Sequence, residues 1–468
     1  MLQKTLQKGY CLLLHNMDAL KKVYFLGIGG IGMSALARYF NARGVKVYGY
    51  DKTRTPLTVE LESEGMSVHY EDLPLAIPED LDLVVWTPAI ARSLQEFKIL
   101  SSGGVTMMKR SEVLGKITAK NKNIAIAGTH GKTTTSSILT HILVESEIKV
   151  TAFLGGIPKN YHSNFVDRGH DWIVEEADEY DRSFLQLHPD IAVIGSLDAD
   201  HLDIYGDRSQ MISTYFDFAG QIKWGGLLLM AANIGQSELN RFGQLENLKL
   251  LTYGIDTGEV RSNILTIKEG WTTFNYQDDK GNLFNELKLR LPGRHNLQNV
   301  TAAIRIGVEL GITEFDIRKA LESFQGIVRR FEWIFEGKNQ VYIDDYAHHP
   351  EELKAAIEAA RSCYPDRRIL GIFQPHLYTR TRDFAQDFAK ALDLLDEVIL
   401  VELYPAREEA IPGISSHTIL DLMDLKQKAY VLKKDLIEQL KLKKLDIVIT
   451  LGAGDLDLMS DQIAKILN

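Results

Sequence analysis

The stretch Asn123-Ile-Ala-Ile-Ala-Gly-Thr-His-Gly-Lys-Thr-Thr-Thr135 constrains this chain more than any other. An apolar run suited to a buried strand stops at Gly128, and a segment of helical period, Ser136 to Ile148, follows Thr135. The backbone N–H groups of Gly128, Thr129, His130, Gly131, Lys132 and Thr133 can converge there on an anionic oxygen. A helix N-terminus favours such an oxygen through its unpaired donors and its dipole. Lys132 is placed to reach the outer phosphates and the Thr133 hydroxyl to sit on magnesium, with Thr134 counted in the same loop. The spacing is G-x-x-G-K-T rather than the commoner G-x-x-x-x-G-K-[ST], because Ile occupies position 126. A Gly-rich turn ahead of an ordinary helix would need the same glycines, but the strand and helix flanks favour a phosphate loop.

At 468 residues the chain has room for about three domains of ~150 residues each. Alternating strand-like and helical runs predict an α/β protein. The expected order is a Rossmann-like N-terminal domain (21–121), a central mononucleotide-binding ATPase domain with a mostly parallel sheet (122–325), and a Rossmann-like C-terminal domain (326–468). Residues 1–20 are expected as an N-terminal extension. Met17 stands just before the first strand, so 1–16 are read as a disordered extension or the product of an upstream start codon. The net charge of −10 excludes the basic field that duplex nucleic acid demands. Two cysteines, Cys11 and Cys363, are too few for a disulfide framework or a zinc site, which points to a reducing compartment. No apolar run approaches the ~20 residues that span a bilayer, and the first residues are too interrupted for a signal peptide. A cytoplasmic location without membrane insertion is expected.

In the first unit, Lys21 to Leu26 reads as a strand, followed by Gly27-Ile-Gly-Gly-Ile-Gly-Met-Ser34, a helix from Ala35 to Arg43, and a second strand ending at Asp51. This is G-x-G-x-x-G in its βαβ context: Gly27 for the turn, Gly29 with Gly30 for approach of a pyrophosphate, Gly32 for helix packing, and an acid about 20 residues on. NAD, FAD and nucleotide-sugar binders would all satisfy it. Leu81 to Trp86 ends in Thr87-Pro-Ala-Ile90, a second strand-end loop facing the same crevice, and either loop can hold a diphosphate.

In the second unit two acidic clusters, Glu175 to Asp181 and Asp198 to Asp203, fall at strand ends, where open α/β sheets bind ligands. Glu176 is assigned to magnesium; a solvated acidic loop is the plainer alternative. His201 stands evenly between a ligand or outer-sphere phosphate contact and a packed histidine, because magnesium prefers oxygen. Residues 261–291 read as a meander, and Pro292 to Asn299 opens a helix whose Asn296 and Asn299 share a face. They suit either helix capping or the edge of adenine. Arg329 and Arg330 are surface charges or, at a domain junction, a clamp on a γ-phosphate. In the third unit His348, His376 and Arg380 come from two strand ends and supply the donors and charge that a free amino-acid carboxylate needs.

Taken together these motifs resemble the bacterial Mur ligases from about Lys21 to the C-terminus. The resemblance rests on Gly27 to Ser34, Gly128 to Thr135, Glu176-Ala-Asp-Glu, His201-Leu-Asp-Ile-Tyr-Gly-Asp, Pro292-Gly-Arg-His-Asn, Arg330-Phe-Glu, Asp344-Asp-Tyr-Ala-His-His-Pro and Gln374-Pro-His. It implies UDP-sugar, ATPase and amino-acid domains, with Gly27, Gly29, Gly30, Gly32, Asp51 and Thr87 at the sugar nucleotide. It also implies Lys132, Thr133, Glu176 and His201 at phosphate and metal, and His295, Asn296 and Asn299 at adenine, with Arg330 in the ATP site. Tyr346, His348, His376 and Arg380 then fall to the amino acid. Some family members carry a basic residue where this chain has Leu377, which leaves Arg382 as the candidate second guanidinium. The implied reaction is ATP-dependent ligation of L-alanine to the carboxylate of UDP-N-acetylmuramate through an acyl phosphate, with magnesium, or manganese in its place. The enzyme is expected as a monomer or weak homodimer. The nearest alternative is a recycling ligase that adds a tripeptide to the same sugar nucleotide. A folylpolyglutamate-type ligase would lack the Gly27 to Gly32 loop, an NAD-dependent oxidoreductase would leave Gly128 to Thr135 idle, and a nucleotide sensor would show no turnover.

Overall fold

The computed structural model describes residues 17–198, 202–406 and 408–467; the readings made for residues 1–16 and for His201 lie outside them. Three sheets organise the chain. Contact density divides the described residues into two compact units, the first holding 17–261 with 277–282 and 299–320, the second holding the remainder. Of the expected N-terminal extension, Met17–Ala19 forms a short 3₁₀ turn, and Met17 and Leu20 are buried.

The first sheet is built from β1 (Lys22–Leu26), β2 (Lys46–Tyr50), β3 (Ser67–His69), β4 (Leu83–Trp86) and β5 (Met107–Lys109), all parallel, in the order β3-β2-β1-β4-β5. Its strand order reverses between β1 and β4, and the crevice beyond the carboxyl ends of such a pair is where doubly wound sheets take ligands. The Gly27 turn follows β1, and the helix Ile31–Ala42 begins four residues earlier than its periodicity suggested. Gly32 enters that helix because a larger residue would strike Arg110: an added Cβ would lie 2.9 Å from Nη1.

The second sheet comprises β6 (Lys122–Ala127), β7 (Val150–Phe153), β8 (Phe165–Asp167), β9 (Trp172–Glu176), β10 (Ile191–Ile194), β11 (Gly226–Ala231) and β12 (Leu248–Ile255). They run in the order β12-β11-β10-β6-β9-β7-β8, parallel except for the edge strand β8. β6 is flanked by β10 on one side and β9 on the other, so the loop after β6 again leaves the sheet where the winding changes direction. β13 (Val260–Lys268), β14 (Trp271–Gln277) and β15 (Leu283–Leu289) are neighbours in chain order, joined by short turns as a meander requires.

The third sheet orders β16 (Glu332–Glu336), β17 (Val341–Asp345), β21 (Ile447–Leu451), β18 (Ile369–Phe373), β19 (Glu397–Leu400) and β20 (Lys428–Tyr430), with only β16 antiparallel. β17, β21 and β18 are buried along their whole length and end level, Asp345 beside Leu451 beside Phe373. The loops that follow them therefore emerge together. Four of the strands missed by sequence reading, β3, β5, β8 and β20, are three residues long. That is too short for a period of two to register.

One ion pair in the first unit shows how burial and charge combine. Arg305, on the helix Arg294–Glu309, is fully buried; its Nε donates to Asp279 Oδ1 at 2.7 Å and its Nη1 to Glu309 Oε2 at 2.8 Å. Burial alone would raise the Asp279 carboxyl, but Arg305 and Lys249 outweigh it and hold it near 2. Because the folded value is depressed, its stabilisation is complete above the ordinary aspartate range near 4 and is lost as pH falls toward 2. Asp279→Asn is expected to destabilise the protein by roughly 1–3 kcal/mol at pH 7. In unfolding midpoints measured from pH 7 to pH 2, the gap between the two proteins should close below pH 4.

Candidate active site

The site begins with the two Gly-rich turns. Gly27 has φ +87, and the N–H groups of Gly27 and Ile28 both donate to the Tyr50 carbonyl, which ties the turn to β2. The Gly29 N–H donates to Asp51 Oδ2 at 2.8 Å. A Cβ on Gly29 would fall 2.7 Å from Thr58 and 2.8 Å from Asp51, so the bare backbone there makes room first for the brace that holds the turn. The Thr87 methyl lies 3.1 Å from where a Gly27 Cβ would be, which brings the two strand-end loops of the first sheet together as their positions in the sequence suggested.

The loop after β6 turns through Gly128 (φ +130) and Gly131 (φ +82), conformations that side chains resist. A Cβ on Gly128 would meet Gly195 N at 2.9 Å, and one on Gly131 would collide with the Asn299 amide. Helix Lys132–Glu145 starts at once, four residues before the apolar period becomes visible, because Gly131 serves as its left-handed N-cap. The loop also leans on the strand end of β10: His130 N donates to Ser196 Oγ at 2.9 Å and Thr129 Oγ1 to the Asp198 carbonyl at 2.9 Å. Thr134 is buried in the first turn of the helix.

Lys132 and Glu176 are each surrounded. The Lys132 ammonium donates to the Gly128 carbonyl at 2.6 Å and to both oxygens of Glu179 at 2.9 and 2.7 Å. Burial alone would lower its pKa, but Glu179, Asp178 and Glu176 outweigh burial and keep it above the ordinary lysine value, fully charged. Glu176 accepts from Thr133 Oγ1 (3.1 Å), Ser136 Oγ (3.1 Å) and Gly155 N (2.5 Å). Burial still raises its carboxyl above the usual range despite those donors and Lys132, the condition of a carboxylate short of positive charge. Thr133 and Glu176 thus present hard oxygen donors side by side. A magnesium ion that takes the rest of its shell from phosphate and water fits them, although the described residues contain no cluster of three or more His, Cys, Asp or Glu built to hold a metal by themselves.

Of the adenine candidates, Asn299 stands beside the phosphate loop at Gly131. Asn296 is buried and donates Nδ2 to the Pro292 carbonyl at 2.7 Å, which closes the bend ahead of its own helix. His295 lies over the Gly293 turn, its Cε1 2.7 Å from where a Cβ would be.

In the second unit a separate cluster gathers at the ends of β17 and β18. The Tyr346 and His348 rings are 5.2 Å apart, His348 and His376 6.1 Å, and His376 stacks on Tyr404 at 5.8 Å. His348 is pushed below the ordinary histidine value by burial and by the Arg380 and Arg330 charges, against Glu352, so it is neutral at pH 7. Arg380 therefore lies within electrostatic reach of His348. Arg329 is spent on structure: it donates to the Gly452 carbonyl at 2.6 Å and pairs with Asp344 at 3.3 Å. Arg330 stacks over Tyr346, its guanidinium 5.2 Å from the ring centre. Both its neighbours, Arg329 (φ 59) and Phe331 (φ 46), are left-handed. Arg382, the candidate second guanidinium, is bound to Asp383 at 2.7 Å and half exposed. Leu377 takes φ 69 in the turn between His376 and the next helix.

Sequence reading missed Glu179, Ser136, Gly155, Ser196 and Tyr404. Glu179 lay inside an acidic cluster in which only the register of β9 decides which carboxylate faces the lysine. The others are polar groups whose importance lies in what they touch, and a linear pattern carries no signal for that.

Comparison with known proteins follows the same lines as the sites. The family model described as the Mur ligase family catalytic domain matches residues 22–122, that of the Mur ligase middle domain 126–307, and that of the Mur ligase glutamate ligase domain 329–454. The chain is 44% identical over 452 residues to UDP-N-acetylmuramate–L-alanine ligase of Cytophaga hutchinsonii, covering 94% of this chain and 96% of that protein. It is 45% identical over 455 residues to the protein of the same name from Flavobacterium psychrophilum, covering 96% and 99%. The crystal structure of UDP-N-acetylmuramate-alanine ligase from Thermotoga maritima superposes with a TM-score of 0.80 at 29% identity, over 95% of this chain and 98% of that one. A murein peptide ligase from Psychrobacter arcticus shares the fold with a TM-score of 0.70 at 22% identity, over 96% and 98%. With all three domain models matched in order and relatives aligned over nearly the whole length, this chain belongs to the Mur ligase family.

Proposed function

We propose that this protein joins L-alanine to the carboxylate of UDP-N-acetylmuramate at the expense of ATP, releasing ADP and phosphate, as a step in building peptidoglycan precursors. The observation that carries the reading is the phosphate loop with Lys132, Thr133 and Glu176 drawn together at one helix N-terminus. It is set in a chain of which relatives of that name match 94% and 96%. The domain limits 21–121, 122–325 and 326–468 are proposed to correspond to sugar-nucleotide, ATP and amino-acid binding.

The phosphate loop's N–H groups and the Lys132 ammonium hold the outer phosphates of ATP and neutralise charge that develops as the γ-phosphoryl passes to the muramyl carboxylate. Thr133 and Glu176, with His201 in support, would hold magnesium, which would supply positive charge against the phosphates. Thr129, His130, Thr134, His295, Asn296, Asn299 and Arg330 complete the nucleotide site in this proposal. Gly27, Gly29, Gly30, Gly32, Asp51 and Thr87 seat the diphosphate of the sugar nucleotide. Arg380, with Tyr346, His348 and His376, holds the alanine carboxylate so that its amine can displace phosphate from the acyl phosphate. Neutral His348 can accept a hydrogen bond or a proton from that amine. The reading places the enzyme in the cytoplasm as a monomer or weak homodimer; no helix among the described residues is long and apolar enough to cross a membrane.

Release of ADP, measured with UDP-N-acetylmuramate and L-alanine together and with each omitted, tests the assignment. Turnover should require both, and a preference for the murein tripeptide over alanine would favour the recycling reaction. Lys132→Ala is expected to lower kcat by at least ~100-fold. Incubation with ATP, magnesium and UDP-N-acetylmuramate followed by borohydride should trap the acyl phosphate as an alcohol without any alanine. Arg380→Ala should still give that alcohol while raising the KM for alanine more than tenfold, roughly the effect of losing a charge partner. Loss of the alcohol in Arg380→Ala would move that residue from amino-acid capture to phosphoryl transfer.

A further inference from the structure

Arg110 lies where two parts of the first unit meet. It opens the helix Arg110–Thr118 directly after β5. Its guanidinium is set against the Gly27–Gly32 turn, with Nη1 2.9 Å and Cδ 3.2 Å from the position of a Gly32 Cβ. Its Nη2 donates to Asp178 Oδ2 at 2.7 Å. Asp178 is followed by Glu179, the carboxylate that takes the Lys132 ammonium with both oxygens. Arg110, Asp178 and Glu176 share the wall of a cavity of about 10 Å³, room for about one water. Two further contacts hold the segment after β9. Lys109 Nζ pairs with Asp181 at 2.6 Å, and Gly115 packs so closely on the Gln186 carbonyl that a Cβ would not fit. Asp181 (φ 52) and Arg182 (φ 54) are both left-handed, a conformation such residues keep only where their surroundings hold them.

We propose that Arg110 is a positioning residue that couples the two Gly-rich loops: a diphosphate on the Gly27–Gly32 turn engages Nη1 while Asp178 retains Nη2, fixing the segment that sets Glu179 and, through it, Lys132. The inference rests on the function proposed above and adds a link between its two nucleotide sites. A guanidinium suits the task because its planar fork can serve a phosphate and a carboxylate at once. In this role Arg110 acts through Asp178 and the segment that carries Glu179. Its effect is therefore a linkage: the sugar nucleotide tightens ATP, and ATP tightens the sugar nucleotide by the same factor.

Calorimetric titration of the whole protein with magnesium and the β,γ-imido analogue of ATP, with and without saturating UDP-N-acetylmuramate, reads that factor. In the native protein the analogue is expected to bind roughly five- to tenfold tighter when the sugar nucleotide is present. Arg110→Ala and, as a variant that keeps the arginine, Asp178→Asn should each bring the ratio to within about twofold of one. Lys109→Ala, which loosens the same helix without touching Gly32, should retain the native ratio. Native binding of both ligands with no linkage overturns the inference alone, as does a ratio unchanged in Asp178→Asn or lost equally in Lys109→Ala. Failure of the native protein to bind UDP-N-acetylmuramate overturns the proposed function, and the inference with it.

Discussion

A lysine that leaves water stays charged only if carboxylates follow it, and much of the first unit follows from that requirement at Lys132. Its ammonium sits between the Gly128 carbonyl and the two oxygens of Glu179, with Glu176 and Asp178 close enough to raise its pKa against the effect of burial. To bring Glu176 and Glu179 there, β9 must lie beside β6 in its observed register, Ile126 opposite Glu176. To keep the loop open around the lysine, Gly128 and Gly131 must take backbone angles that other residues resist. A phosphate arriving at this loop would compete with Glu179 for the same cation, one anion exchanged for another.

The large features of this fold were legible in the sequence because each has a local cause. Gly27 to Gly32 and Gly128 to Thr133 announce strand–turn–helix junctions through glycines at fixed spacing. The apolar runs at 191–194, 226–231 and 447–451 read as buried strands, and each is one. Helix starts were placed late, at Ala35 and Ser136 rather than Ile31 and Lys132, since polar and glycine-rich first turns carry no apolar period. The site was legible in its residue types and less so in their pairings. Asn296 and Asn299 looked equivalent on one helical face, yet Asn296 closes its own bend and Asn299 abuts Gly131. Arg329 and Arg330 were adjacent candidates, and only the strand ends at Gly452 and Asp344 reveal that Arg329 is a structural strut.

In the second unit Arg329 and Arg330 both lie over the Tyr346 ring, at 4.9 and 5.2 Å, and the backbone on either side of Arg330 shows how two adjacent arginines reach one ring. Left-handed angles at Arg329 and Phe331 turn the chain sharply on both sides of it. The N–H of Phe331 donates to Asp345 Oδ2 at 2.6 Å, and burial raises that carboxyl to about 6 even with Arg330 near it. The arginine is thereby held over Tyr346, beside the His348 and His376 rings.

The order of the third sheet carries a consequence for how this protein comes into being. β21 is the last strand of the chain, and it lies between β17 and β18 instead of at an edge. Gln374 N donates to the Leu451 carbonyl, and Gly452 N to the Asp345 carbonyl, so the loops bearing Tyr346, His348 and His376 are both fastened to a strand about a hundred residues further on. While the ribosome is still at work, the two halves of that pocket have no shared partner. They acquire one only when residues 447–451 emerge and slot between them, so the two loops come side by side no earlier than that strand is made.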